Sequence, residues 1–272
     1  IRDLAKMKTR GEKIAMITAY DYMSAALLEE AGVPIMLVGD SLGQVVLGYD
    51  STIPVTMDDM LYHIRPVVKG TKHAHVVGDM PFLSYQADAD EAVRNAGRML
   101  KEGGCQSIKL EGGRQVEVTV DRIVNAGIPV MAHIGLTPQA VNQLGGYRVQ
   151  GRSSKAAADL IEDAKALEEA GAYAVVLELV PAPLAAIITE RVSIPTIGIG
   201  AGAYCDGQVQ VFHDLLGLIE DFSPKHARPY AQLSTTIKKA VSEYVNDVES
   251  QKFPSDTESH HIKPALIEQI TT

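Results

Sequence analysis

The stretch Leu27-Leu-Glu-Glu-Ala-Gly-Val-Pro, running straight into Ile35-Met-Leu-Val-Gly-Asp40, decides the fold. Its first half is amphipathic and breaks at Gly32, the residue type most at ease with the positive φ of a helix C-terminus. Its second half holds four apolar residues without alternation, the mark of a strand buried on both faces. The same phrase recurs along the chain. Met99-Leu-Lys-Glu-Gly-Gly leads to Ser107-Ile-Lys-Leu-Glu111, and Ile123-Val-Asn-Ala-Gly-Ile-Pro leads to Val130-Met-Ala-His133. Leu167-Glu-Glu-Ala-Gly-Ala leads to Ala174-Val-Val-Leu-Glu178, and Glu190-Arg-Val-Ser-Ile-Pro leads to Thr196-Ile-Gly-Ile-Gly200. Further strands fit at Ile14–Thr18 and His75–Gly78, with an eighth near Gln208–Phe212. Helix, glycine and strand repeated in this way imply a parallel sheet, and about eight such units favour a closed (β/α)8 TIM barrel over an open doubly wound sheet.

The 272 residues suffice for one such barrel, read as a single catalytic domain over residues 1–250. After Val248 the pattern stops, and residues 251–272 are expected to be a flexible tail or an arm lying on a neighbouring subunit. The adjacent His260 and His261 point in different directions and do not by themselves make a metal site. The formal charge of −9 argues against a nucleic-acid groove or an anionic membrane surface as partner. Small anions stay open, because a local Lys or metal can overrule the global charge. No apolar run reaches about 18 residues, so no membrane span is expected. The charged start, Ile1 to Lys8, lacks the apolar centre of a secretory signal. Cys105 and Cys205 are the only cysteines and form no C-x-x-C, which points to a reducing, cytoplasmic setting.

A parallel barrel keeps its chemistry where the strands end. The residues that follow the apolar runs are Asp40 and Ser41, Asp79, Lys109 and Glu111, His133, Glu178 and the loop Gly198–Gly202. Four carboxylates converging on one mouth repel one another unless a cation or a proton offsets them. Asp40, Asp79 and Glu111 suit a hard divalent cation such as Mg²⁺, and no Cys- or His-rich cluster points to zinc. The competing reading of each acid is a helix N-cap. Lys109 shares a strand face with Glu111; it either pairs with those carboxylates or holds a substrate carboxylate or oxyanion. Glu178 has the most apolar flanks of any acid, so desolvation is expected to raise its pKa into the range of a general base. His133 is open between a substrate or cofactor contact and a satisfied buried histidine. Gly198-Ile-Gly-Ala-Gly202 is not G-x-G-x-x-G and reads as close backbone approach at the mouth; no Walker A and no G-x-S-x-G occurs.

At these residues the chain resembles the ketopantoate hydroxymethyltransferase family. The matching runs include Thr18-Ala-Tyr-Asp-Tyr, Leu37-Val-Gly-Asp-Ser-Leu-Gly, Asp50-Ser-Thr-Ile-Pro-Val-Thr and Asp79-Met-Pro-Phe. They continue through Ile108-Lys-Leu-Glu-Gly-Gly, His133-Ile-Gly-Leu-Thr-Pro-Gln, Gly145-Gly-Tyr-Arg-Val-Gln-Gly-Arg, Glu178-Leu-Val-Pro and Ile197-Gly-Ile-Gly-Ala-Gly. The resemblance implies a barrel of the phosphoenolpyruvate mutase and isocitrate lyase type, assembled as a homo-oligomer, typically a decamer. It implies Mg²⁺ at Asp40, Asp79 and Glu111, a 2-oxo acid substrate on Asp40, Ser41, Asp79 and Lys109, and Glu178 as base. It implies methylene-tetrahydrofolate as hydroxymethyl donor to 3-methyl-2-oxobutanoate. The competing readings are a C–C lyase of the same superfamily, which would carry a Lys-Lys-Cys-Gly-His type loop that neither cysteine sits in, and a non-enzymatic barrel used for binding.

Overall fold

In the computed structural model, which describes residues 1–220 and 224–271, each apolar run becomes one strand of a closed barrel. The strands are β1 (Ile14–Thr18), β2 (Ile35–Val38), β3 (His75–Asp79), β4 (Ser107–Glu111), β5 (Val130–Gly135), β6 (Ala174–Glu178), β7 (Thr196–Ile199) and β8 (Gly207–Gln210). All neighbours pair in parallel in chain order, and β8 closes on β1 with Gly207 opposite Ile14. The expected eighth strand is therefore present but starts one residue earlier and ends at Gln210. It stops because Phe212 opens the short helix Phe212–Leu215, its amide donating to Thr18 Oγ1 at 2.9 Å.

Side chains alternate between two cores, as a pleated strand requires. Met36, Val76, Ile108, Leu110, Ala132, Val175 and Leu177 point outward into the helix layer. That layer includes Met57–Gly70, Ala89–Arg98 and Ser154–Glu169. Ile14, Met16, Ile35, Leu37, Val77, Met131, Val176, Ile197 and Val209 point inward and fill the barrel. Towards the C-terminal ends the inward positions turn polar, and the register stacks them: Asp79 lies beside Lys109, Glu111 beside His133 and Gly135 beside Glu178.

The charged N-terminus is itself a helix, Arg2–Arg10, whose Leu4 and Met7 close the bottom of the barrel. Lys8 Nζ fastens it by donating to Asp206 Oδ2 at 2.8 Å and to the carbonyls of Thr189 and Ile194, both at 3.0 Å. The C-terminal part holds the exposed helix Leu233–Glu249 and, after residue 250, the short helix Pro264–Thr271. His261 pairs with Asp256 on the surface, at 2.8 Å. Among the described residues no helix is long and apolar enough to cross a membrane.

Candidate active site

A cavity of about 570 Å³ opens at the C-terminal end of the barrel. Asp40, Ser41, Asp79, Lys109, Glu111, His133 and Glu178 all line it, so every side chain expected at the mouth is there. Its floor and walls are apolar, with Leu37, Val176 and Val209 below and Leu136, Leu179 and Ile199 around.

Lys109 stands at the centre. Its ammonium donates to both oxygens of Asp79, at 2.7 and 2.9 Å, and lies 3.7 Å from Glu111 Oε1. Burial alone would strip its proton, but Asp79, Glu111 and Asp40 prevail and hold it charged, above the usual lysine range. The ion-pair reading of Lys109 thus holds geometrically, and the amine is at the same time part of the cavity wall. Asp79 Oδ2 also accepts from the Asp40 amide at 3.2 Å. Burial raises the Asp79 carboxyl despite Lys109. Burial, with the charges of Asp79 and Glu111, raises Asp40 well above the ordinary carboxylate range. Burial also opposes charge on Glu111, but there His133 and Lys109, with the Gln139 amide, outweigh it and hold the carboxyl below its ordinary value. None of the three acids caps the helix that follows it; the side-chain N-caps are Asp21, Thr56, Asp88, Ser153 and Ser255.

His133 bridges two acids. Its Nδ1 is 3.3 Å from Glu111 Oε1 and its Nε2 is 3.3 Å from Glu178 Oε2. Neither contact has hydrogen-bond alignment, so the attraction is chiefly one of charge. Burial and Lys109 oppose protonation of the ring, yet the two flanking carboxylates push it up to about 9. Glu178 ends β6. Its apolar neighbours Val175 and Leu177 point out into the helix layer. The carboxylate faces the cavity with 15% of its side chain exposed, against 2% for Asp79 and 3% for Glu111. Strand alternation thus sends Val175 and Leu177 to the other face, while Val176 and Leu179 line the same cavity as this acid.

Were Asp40, Asp79, Glu111 and Glu178 all ionised, they would outweigh Lys109 and a protonated His133 by two negative charges; burial and mutual repulsion raise Asp40 and Asp79 against that excess. Among the described residues no three His, Cys, Asp or Glu side chains already converge as a ligand set. Mg²⁺ does not require that: it takes one or two carboxylates and fills its shell with water or substrate oxygens. The donor chemistry fits a divalent cation held by Asp40, Asp79 and Glu111.

Three contributors escaped the sequence reading. Tyr20, which burial keeps protonated, shares a 2.8 Å hydrogen bond with Ser41 Oγ. Tyr85 and Gln139 lock the back of the site. Tyr20 lies two residues past β1, as Asp40 does past β2, whereas Tyr85 lies in a loop; the quoted runs contain Tyr20 and Gln139 but not Tyr85. The loop Gly198–Gly202 meets protein rather than open cavity. A Cβ on Gly200 would strike Leu179 at 2.6 Å, and one on Gly202 would strike Ala182 at 2.4 Å.

The fold is that of a closed parallel (β/α)8 barrel, which solved members of the phosphoenolpyruvate mutase and isocitrate lyase superfamily share. Solved structures agree on the fold. A 2,3-dimethylmalate lyase of that superfamily aligns with a TM-score of 0.59 at 17% identity, covering 99% of this chain and 93% of its own. A phosphonopyruvate hydrolase in complex with oxalate and Mg²⁺ aligns with a TM-score of 0.60 at 13% identity, covering 99% and 94%. The sequence model of the ketopantoate hydroxymethyltransferase family matches residues 1–256. The 3-methyl-2-oxobutanoate hydroxymethyltransferase of Carboxydothermus hydrogenoformans is 58% identical over 270 residues, 99% of this chain and 98% of that protein. The chain belongs to the ketopantoate hydroxymethyltransferase family and is an enzyme of the one-carbon transferase class.

Proposed function

We propose that this enzyme transfers a hydroxymethyl group from methylene-tetrahydrofolate to 3-methyl-2-oxobutanoate, giving 2-dehydropantoate, the first committed step of pantothenate synthesis. The observation that carries the reading is the line Asp79–Lys109–Glu111–His133–Glu178 along one wall of the cavity, each member at hydrogen-bond or ion-pair distance from the next. Lys109, Ser41, Asp40 and Asp79 form the end that binds the carboxylate and keto oxygen of the 2-oxo acid. Mg²⁺, held through Asp40, Asp79 and Glu111, supplies the positive charge that polarises the keto group. Glu178, the most open of the acids, removes the C3 proton, and His133 fixes the direction of its carboxylate. The apolar floor of Leu37, Val176 and Val209 suits the branched aliphatic end of the substrate. The C3 carbon then takes the methylene carbon of the folate, tetrahydrofolate leaves, and water supplies the hydroxyl. The same reading places the chain in the cytoplasm as a homo-oligomer. A lyase using a catalytic thiol finds no support: Cys105 and Cys205 are buried and line no part of the cavity. Incubating the protein with Mg²⁺, 3-methyl-2-oxobutanoate and methylene-tetrahydrofolate should yield 2-dehydropantoate by mass spectrometry. Cleavage of the oxo acid, or no product with either folate or free formaldehyde as donor, would reject the reading.

A further inference from the structure

Gln139 follows β5 in the short turn of helix Pro138–Ala140 and is 4% exposed. Every polar group of its side chain is engaged. Nε2 donates to Asp40 Oδ2 and to the Met80 carbonyl, both at 2.9 Å. Oε1 accepts from the Tyr85 hydroxyl at 2.7 Å and from Gln86 Nε2 at 2.9 Å. Its backbone amide donates to Glu111 Oε2 at 3.0 Å. Tyr85 is fixed in turn, its hydroxyl accepting from the Glu111 amide at 3.0 Å. Only one orientation of the amide works, because the reverse would set its oxygen against a carboxylate and a carbonyl.

We propose that Gln139 is a positioning residue for the metal centre, its side-chain amide fixing one oxygen of Asp40 and its backbone amide one oxygen of Glu111. This rests on the metal reading above. A buried carboxylate that no donor fixes can rotate away from its ligand geometry, and partners of this kind set metal affinity as well as activity. The clamp also joins acids from β2 and β4, which are not neighbours in the barrel, through one side chain. Gln139 and Glu111 line a second cavity of about 410 Å³ behind the first. A small residue at 139 would let the two merge, so the informative variant keeps the volume.

Gln139→Leu does so, removing the amide while retaining the backbone donor to Glu111. Mn²⁺ binding to the metal-free protein, followed by electron paramagnetic resonance, should weaken about 10- to 100-fold, while circular dichroism and Tm show a native fold. Excess Mg²⁺ should recover much of the lost kcat, which repair of a purely structural defect would not do. Native-affinity Mn²⁺ binding in a folded Gln139→Leu protein overturns the proposal. Should that variant not fold, Tyr85→Phe decides: it frees the far end of the amide, and Mn²⁺ should bind several-fold more weakly; unchanged affinity overturns the proposal equally. The unsubstituted protein and Asp79→Asn separate the two ideas. No saturable Mn²⁺ site in the former, or no loss of affinity in the latter, overturns the metal reading and the clamp with it.

Discussion

Between Glu111 and Glu178 the imidazole of His133 sits 3.3 Å from each carboxylate, joining one of the acids proposed to hold the metal to a more exposed acid. Two carboxylates with such different exposure are suited to different work: the buried one to a fixed charge, the open one to proton transfer with a substrate. If Glu178 is the base, deprotonation need not wait for the folate. The protein with Mg²⁺ in D₂O should exchange the C3 proton of 3-methyl-2-oxobutanoate with no donor present. Glu178→Gln keeps the shape and removes the basic oxygen, and it should slow exchange by about 10²- to 10⁴-fold. Binding of the oxo acid should change little, since Lys109, Ser41 and the metal supply most of it in this reading. Proton NMR of the C3 signal reads the rate. Exchange at the unsubstituted rate would move the base to His133.

The ends of β5 and β6 show how elements place these side chains and how much of that was written in the sequence. Gly135 has φ +94° and lies opposite Glu178; a Cβ there would come within 2.2 Å of the Glu178 carbonyl. That carbonyl accepts from the Leu136 amide at 2.8 Å, and the next residue, Leu179, takes φ +46° to turn the chain into its helix. Gly135→Ala should therefore cost about 2–3 kcal/mol through strain and displacement. It should also lower kcat, because Glu178 must move with its strand. A variant with unchanged Tm and unchanged kcat would show that the junction relaxes freely. The apolar runs revealed seven strands with small errors at their ends, because strands buried on both faces leave an unbroken apolar signature. The eighth was faint for a physical reason: Gly207–Gln210 alternates Gly, Gln, Val, Gln and lacks that signature. The same rule found Asp40, Asp79, Glu111 and Glu178, each at or just past the end of its run, but not Asp214, which lines the cavity from the short helix Phe212–Leu215. It missed Tyr85 and Gln139, which reach the site from loops, where distance along the chain says nothing of distance in space. For Glu178 the sequence neighbours divide: Val176 and Leu179 line its cavity, while Val175 and Leu177 face the helix layer.

The barrel as a whole has a polar lower end as well as an upper one, and this sets its response to acid. At the start of β3, His75 Nε2 lies 2.8 Å from Ser107 Oγ, with Tyr173 edge-on to the ring. Burial, aided by the charge of the N-terminus, lowers its pKa from 6.5 to about 4. The unfolded chain then binds a proton that the folded one refuses between those values, so stability is full above about pH 6.5 and falls as the pH drops towards 4. The ring is partly exposed, so the effect should stay below the roughly 3 kcal/mol the shift implies at face value. Thermal melts of His75→Gln should differ from those of the unsubstituted protein by an amount that shrinks across that window; a constant offset would free His75 of the role. Stability also bears on assembly, where the C-terminal region is the open question. Ile237, Val241, Tyr244, Val245 and Val248 are all exposed along one helix at spacings of four, three, one and three residues, a stripe that a second subunit would cover. Phe253 packs edge-on against Tyr244 with ring centroids 5.4 Å apart, so the segment after the helix begins on that same stripe. Deleting residues 251–272 should leave the barrel folded, because none of its buried core comes from the tail. Its effect should appear in the assembly. Gel filtration with light scattering should show the full chain as a large homo-oligomer, a decamer on the family resemblance, and the shortened chain as the same or a smaller one. A smaller species with unchanged kcat assigns the tail to an interface. An unchanged species with lost activity would instead make it part of a neighbour's site, and loss of the fold itself would overturn the division at residue 250.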